Sequence, residues 1–445
     1  MASAADSLAA NINFSAFSKA TELKQRIKFT ILALIVYRLG TYIPIPGIDP
    51  VALAAMYQQH GGGILDMFDM FSGGALKRMT IFALSVMPYI TASIIVQLLS
   101  AILPQFEALK KEGESGRIKL NQYSRYLTVV FAVVQSYALA IGLENAMGGS
   151  AVVISPAFFR ISTMVTLTGG TVFLMWLGEQ ITARGIGNGV SLIIYSGIVA
   201  NLPHAMVQTL ELGRTGAMSA WFIMVIIALV FGVLAVSVFC ERAQRRILVQ
   251  YPKRQVGNKM FGGEASHMPL KINTSGVIPP IFASSLLLFP LTLASFTNVQ
   301  EKGGILADIV AALGHGKPLF MFLYAALIIF FAFFYTAVVF NPQETADNLK
   351  KYGGFVPGIR PGKNTADYFD YVLTRLTVLG AIYLAGICLL PEFLMTKGAV
   401  PFYLGGTSLL IVVSVTIDTL SRVQSHLIAH QYEGLIKKSR LRGGP

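Results

Sequence analysis

Charge is what this sequence has least of. Only 13% of its 445 residues are Asp, Glu, Lys or Arg, about half the share of a typical soluble domain. A disordered chain is excluded with it, because the residues that replace the charges are apolar. Cysteine is almost missing. Cys240 and Cys388 both lie in or at the end of apolar runs, which leaves no disulfide framework or Cys-rich metal site to read. Small core hydrophobes are their ordinary role. The six histidines are scattered and none has metal-ligand spacing. Neither G-x-x-x-x-G-K-[ST] nor H-E-x-x-H occurs. No catalytic residue, metal or cofactor is therefore expected, and any work must be driven by a partner or by the membrane potential.

What is present is apolar mass: 54% hydrophobic residues with 29 Phe, 17 Tyr and 42 Gly, and a mean hydropathy of +0.62. A membrane-crossing helix needs about 20 mostly apolar residues. Ten such stretches are expected, at 27–43, 79–101, 125–143, 160–178, 188–207, 219–240, 276–294, 318–340, 372–390 and 402–420. The fifth is the weakest, because it carries Asn188, Ser191 and Ser196. The first 26 residues are polar, and "IPIPG" rather than a small-residue cleavage site follows the first apolar run. That run is expected to remain as a span.

The 35 Lys and Arg against 22 Asp and Glu give a net charge of +13. In a chain this apolar the surplus must sit in loops, where it suits nucleic acid, anionic lipid or an acidic partner. The N-terminal tail with Lys28, segments 104–125, 179–187, 241–275 and 341–375, and the C-terminal tail together hold 27 basic residues; the opposite set of loops holds 7. Basic loops face the cytoplasm, so both termini are expected there. Arg38 is left inside the first span. An intramembrane charge is a functional candidate, although the plainer expectation is snorkelling to the outer interface just before Pro44.

Two of the basic loops are long. The first, "ERAQRRILVQYPKRQVGNKMFGGEASHMPLKIN" (241–273), alternates apolar and polar residues on both sides of a basic tip, as a projecting β-hairpin would. Its cations with Tyr251 suit phosphate contact and base stacking, and suit an acidic protein surface equally well. The second, at 341–375, carries Arg360 in a Pro/Gly turn.

Six blocks then carry a resemblance: "IPIPGI" (43–48), "FSGGALKRMTIFALSVMPYITASIIVQLL" (71–99), "GEQITARGIGNGVSLIIYSGIVA" (178–200), "VIPPIFASS" (277–285), "ETADNLKKYGGFVPGIRPG" (344–362) and "VPFYLGGTSLLIVVSVTIDT" (400–419). In this order they closely resemble the SecY/Sec61-alpha family, central subunits of protein-conducting channels, and the resemblance runs end to end. It implies an all-α polytopic membrane protein of ten helices, arranged as two pseudo-symmetric inverted halves around an hourglass pore. The expected organisation is a cytoplasmic tail (1–26), an N-terminal half (27–207), a C-terminal half (208–420) and a cytoplasmic C-terminal tail (421–445).

The same resemblance implies residue roles. Val86, Ile90, Ile194, Ile281 and Ile411 match a pore ring, a waist of branched aliphatic side chains that seals by dewetting. Val86 stands where the family usually has Ile, so a slightly looser seal is expected. Segment 61–76 matches the plug, with Ile64, Leu65, Met67, Phe68, Met70, Phe71, Ser72, Gly73 and Gly74. Spans two and seven are rich in prolines and polar groups, which is tolerated where a span lines water or protein. They correspond to a lateral gate, and Thr91, Gln135 and Ser285 are its candidate polar contacts, with static interhelical hydrogen bonds as the alternative. Lys253, Arg254 and Arg360 are the candidate docking positions for a translating ribosome and the motor ATPase SecA. SecE and SecG are the implied membrane partners, signal peptides and nascent chains the substrates, lipid the sideways destination, and the bacterial inner membrane the location. A secondary transporter of a small solute is the alternative. It would share inverted halves and broken helices, but Asp418 is its one clear acidic candidate. A membrane scaffold is a weaker third reading.

Overall fold

The computed structural model describes residues 20–49, 53, 69, 72–146, 154–216, 219–252, 254–256, 259–261, 265–296, 312, 317–398 and 406–442. Twelve helices and four strands fall within them. The helices are α1 (Thr21–Gly40), α2 (Met87–Ile102), α3 (Pro104–Lys111), α4 (Glu114–Ala146), α5 (Pro156–Arg184), α6 (Gly189–Arg214), α7 (Ala220–Arg242), α8 (Ile278–Phe296), α9 (Pro318–Val339), α10 (Pro342–Lys351), α11 (Lys363–Gly398) and α12 (Gly406–Arg442). Each of the ten expected spans coincides with one of them. Among the described residues seven helices are individually long and apolar enough to cross a membrane, and the bent pair α2–α3 makes an eighth. The break within that pair is 97°. It falls at Pro104, which removes a helical N–H and forbids helical backbone in Leu103.

Packing sorts the long helices into two sets. Helices α1, α2, α4, α5 and α6 touch one another, as do α7, α8, α9, α11 and α12. The sets meet where α8 lies against α2 and α4, and where α12 lies against α6 and α1 with α7 touching α6. One continuous buried cluster spans both sets. Helix α7 is nearly bare, with only 6% of its span buried and Trp221, Phe231 and Phe239 exposed. In a membrane protein such a face is solvated by acyl chains.

Two spans differ from their expected outlines. Span two does not begin at residue 79. Residues 79–86 form tight turns and the helix starts at Met87, with Pro88 in its first turn. A proline disfavours helical backbone in the residue before it and is accommodated in a helix's first turn. The turns include Met79 and Ser85 at φ of 43° and 51°, and they are held by Ile45 N–H to the Met79 carbonyl (2.9 Å) and Ile81 N–H to the Ile43 carbonyl (3.0 Å). In span five, Asn188 is not a polar intrusion but the N-cap of α6: its side-chain oxygen accepts from the N–H of Val190 at 3.1 Å and of Ser191 at 3.5 Å.

The first long basic loop folds as expected from its alternation. Strands β1 (Gln244–Gln250) and β4 (Ala265–Lys271) pair antiparallel from Gln244 opposite Lys271 to Gln250 opposite Ala265. Beyond them β2 (Arg254–Val256) pairs with β3 (Lys259–Phe261), which prolongs the hairpin. The second loop joins it. Ile247 and Leu270 of the hairpin share a small core with Ala346, Val356, Phe369, Leu373 and Leu376.

Candidate functional site

The five aliphatic candidates for the pore ring are all buried. Val86 is the N-cap residue of α2 and Ile90 lies one turn on, its N–H bonded to the Val86 carbonyl at 3.1 Å. Ile194 comes from α6, Ile281 from the first turn of α8 and Ile411 from the first turns of α12. All five side chains are at most 8% exposed and belong to one buried cluster. Their helices meet pairwise, α2 with α8 and α6 with α12. That cluster, which also holds aromatic residues such as Phe82, Phe282 and Phe331, takes in residues that lie up to 325 positions apart, between 86 and 411. Branched hydrocarbon offers no hydrogen bond to water or ions, so such a cluster resists hydration without recognising any particular side chain.

The three polar candidates lie in the same contact region of α2, α4 and α8. Thr91 and Ser285 are buried, and their hydroxyls donate back to the Met87 carbonyl (3.1 Å) and the Ile281 carbonyl (2.8 Å). Neither hydroxyl donates across to a neighbouring helix in this state. Gln135 is also buried, and its side-chain oxygen has no hydrogen-bond partner among the described residues. Sequence reasoning missed a contact between the two sets of helices: Lys110 of α3 donates to the Val338 carbonyl at the end of α9 at 3.3 Å. No local motif marks it, because the acceptor is backbone.

Of the 61–76 segment, Ser72, Gly73 and Gly74 are described, together with Asp69; Ile64, Leu65, Met67, Phe68, Met70 and Phe71 lie outside the described residues. Arg38, the charge inside the first span, donates from its guanidinium to the Gly73 carbonyl at 3.1 Å, a hydrogen bond strengthened by the donor's charge.

In the second long basic loop, Arg360 is exposed in the turn before α11, where its carbonyl accepts from the Thr365 hydroxyl at 2.9 Å. Arg254 lies in β2, its side chain outside the described set, and Lys253 lies outside the described residues. Asp418, the acidic residue on which a transporter reading would lean, is exposed and paired with Arg422 one turn on at 3.0 Å. No group of three or more His, Cys, Asp or Glu suited to a metal occurs among the described residues.

The family model named SecY matches residues 80–420. The chain belongs to the SecY family. It is 58% identical over 432 residues to the protein translocase subunit SecY of Rickettsia conorii, covering 97% of this chain and 99% of that protein. It is 55% identical over 423 residues to the subunit of Escherichia coli K12, covering 95% and 96%. Among solved structures, a protein-conducting channel aligns with TM-score 0.64 at 18% identity, covering 91% of this chain and 92% of that one. Sec61 in a canine ribosome-channel complex from the endoplasmic reticulum aligns with TM-score 0.61 at 17% identity over the same shares. This SecY-family chain is accordingly a multi-pass membrane protein with the ten-helix fold of these channels. It is a protein-conducting translocation channel subunit and not an enzyme, and the solute-transporter alternative is not favoured.

Proposed function

We propose that Val86, Ile90, Ile194, Ile281 and Ile411 form the constriction through which unfolded, signal-bearing chains pass, and that the line between α8 and the pair α2–α4 is the seam through which apolar segments leave for lipid. The reading is supported by one observation above the rest: five branched aliphatic residues from four different spans are buried in a single cluster that runs across both sets of helices. A passing chain displaces this ring as it would displace any dry hydrocarbon contact, and the ring recloses behind it. At the seam, sorting is by transfer energy. About 20 apolar residues favour lipid, whereas one central charge costs about 2.5–3.5 kcal/mol. Thr91, Gln135 and Ser285 give the seam a partly polar lining, which lowers the cost of transient wetting when the helices part.

Segment 61–76 serves as the outer plug, and one of the related structures concerns a plug domain that stabilises the closed state of its channel. The two halves, 27–207 and 208–420, flank the pore, with both termini in the cytoplasm of a bacterium and the channel in its inner membrane. The basic loops at 241–275 and 341–375 form the docking platform. Related channels have been solved bound to ribosomes, and Lys253, Arg254 and Arg360 are the cations assigned to that contact and to the motor SecA. SecE and SecG complete the membrane complex.

The test is a crosslink between a stalled, signal-bearing chain and single cysteines placed at Ile90, Ile194 and Ile411. Adducts are expected at all three positions. A chain that crosses the membrane yet reaches none of them counts against the constriction.

A further inference from the structure

Three consecutive backbone carbonyls at the outer end of the 61–76 segment are held by side chains rather than by secondary structure. The Tyr37 hydroxyl donates to the Ser72 carbonyl at 3.2 Å. Arg38 Nη1 donates to the Gly73 carbonyl at 3.1 Å, and Arg78 Nη2 donates to the same oxygen at 3.2 Å. Arg78 Nε donates to the Gly74 carbonyl at 3.0 Å. Gly73 and Gly74 have φ of 69° and 85°, left-handed backbone that other residues adopt only at a cost. Their carbonyls are thereby freed from helical pairing and open to these donors.

The donors are themselves fixed. Tyr37 is fully buried and stacks on Phe82 with ring centres 6.1 Å apart. Both guanidiniums lie by the Tyr42 ring, Arg78 at 4.1 Å and Arg38 at 5.7 Å from its centre, within the range of cation–π attraction. Among the described residues neither arginine has a carboxylate within ion-pair distance. Their charge is directed at carbonyl dipoles instead. On its other side Gly73 touches span five: a Cβ added there would come within 2.8 Å of the Gly197 Cα, and Gly197 lies three residues beyond Ile194. The loop is also closed on itself, since the Asp69 carboxylate accepts from the Lys77 N–H at 3.0 Å and the Ser72 hydroxyl at 3.2 Å. A loop of that kind moves as a unit.

We propose that Arg38 and Arg78 are positioning residues that clamp the outer hinge of the plug against span five through its own carbonyls, and that the resting seal of the channel depends on this clamp. The inference rests on the plug reading of 61–76. Bonds to backbone carbonyls report where the hinge is, irrespective of which side chains it carries, so the clamp releases only when the hinge itself is displaced. Each bond is charge-assisted, the stronger class of hydrogen bond, while glutamine keeps an amide donor on a shorter side chain and loses the charge.

The experiment measures resting ion leak from phospholipid vesicles holding the full chain with its membrane partners. The variants are the double substitution Arg38→Gln with Arg78→Gln, the double Arg38→Lys with Arg78→Lys, and a deletion of residues 61–71. The deletion is expected to leak, which tests the plug reading alone. The Gln double is expected to raise the leak about tenfold or more, the factor commanded by about 1.4 kcal/mol, the lower end of one charge-assisted bond. The Lys double, with charge but without the fork, is expected to fall between it and the parent. A leaking deletion beside a Gln double as tight as the parent overturns the clamp and leaves the plug. A deletion that does not leak overturns both. If the Gln double does not insert, the Lys double decides alone, and a leak equal to the parent's overturns the clamp.

Discussion

Gln250 and Phe355 exchange both of their backbone hydrogen bonds, N–H to carbonyl, at 2.9 and 3.0 Å. This single antiparallel bridge ties the end of β1 to the turn that leads to Arg360. With the small core beneath it, it makes one platform of two loops that are about 100 residues apart in sequence. A partner that docks on either loop therefore meets both.

Replacing Gln250 with proline removes one of the two donors. The bridge should open, and hydrogen–deuterium exchange at the Phe355 amide should accelerate by more than an order of magnitude, while exchange within α11 stays slow because the core around Phe369 is intact. Unchanged protection of Phe355 would show that the mini-core alone holds the loops together.

Arg360→Glu should weaken ribosome binding, and the salt dependence should reveal why. If Arg360 contacts a phosphate, the slope of log affinity against log salt falls by about 0.7–0.9 in magnitude on its removal. Binding measured over a salt series distinguishes this from a lost contact to protein, which would lower affinity with much less change in slope.

The proposed constriction predicts a graded leak. Val86→Ile adds a methylene to the ring and should reduce resting ion passage, whereas Ile411→Ala and Ile90→Ala should raise it. Ile411 is the most completely buried of the five, so its truncation leaves the largest unfilled space and the largest leak. Conductance of the three variants in planar bilayers gives the order.

Close helix approach makes a separate prediction. Gly406 opens α12 against α11, and a Cβ there would overlap the Ile387 carbonyl. Small residues permit such approaches between membrane helices. Gly406→Val should lower the melting temperature of the detergent-solubilised protein by several degrees, whereas Gly232→Ala, with open space around its Cα, should leave it unchanged. Equal melting of the two would remove this contact from the packing account.

Much of this could be read from sequence because hydropathy measures what a membrane enforces. Ten apolar stretches became helices since no other open-chain structure satisfies its backbone in lipid. The hairpin was legible in the alternation of "RRILVQ" and the basic tip. Other features were not legible for physical reasons. Asn188 looks like a polar defect in a span until its carbonyl oxygen is seen to cap α6. The partner of Arg38 could not be read because its acceptor is a carbonyl 35 residues away, and backbone acceptors leave no mark on composition. The early start assigned to span two failed because Ile81 to Val86 are apolar enough to belong to a helix, yet Pro88 and the bridge to Ile43 and Ile45 hold them in turns.

Those turns constrain how the molecule is assembled. Residues 82–86 are buried and non-helical, and part of the backbone beside them is satisfied only by Ile43 and Ile45 and sheltered by Phe82 between Tyr37 and Phe173. A stretch of that kind cannot wait alone in hydrocarbon. Its backbone and the Phe82 ring are covered only where the first and fourth spans stand beside it, so the folded form of this second span depends on helices that precede and follow it in the chain.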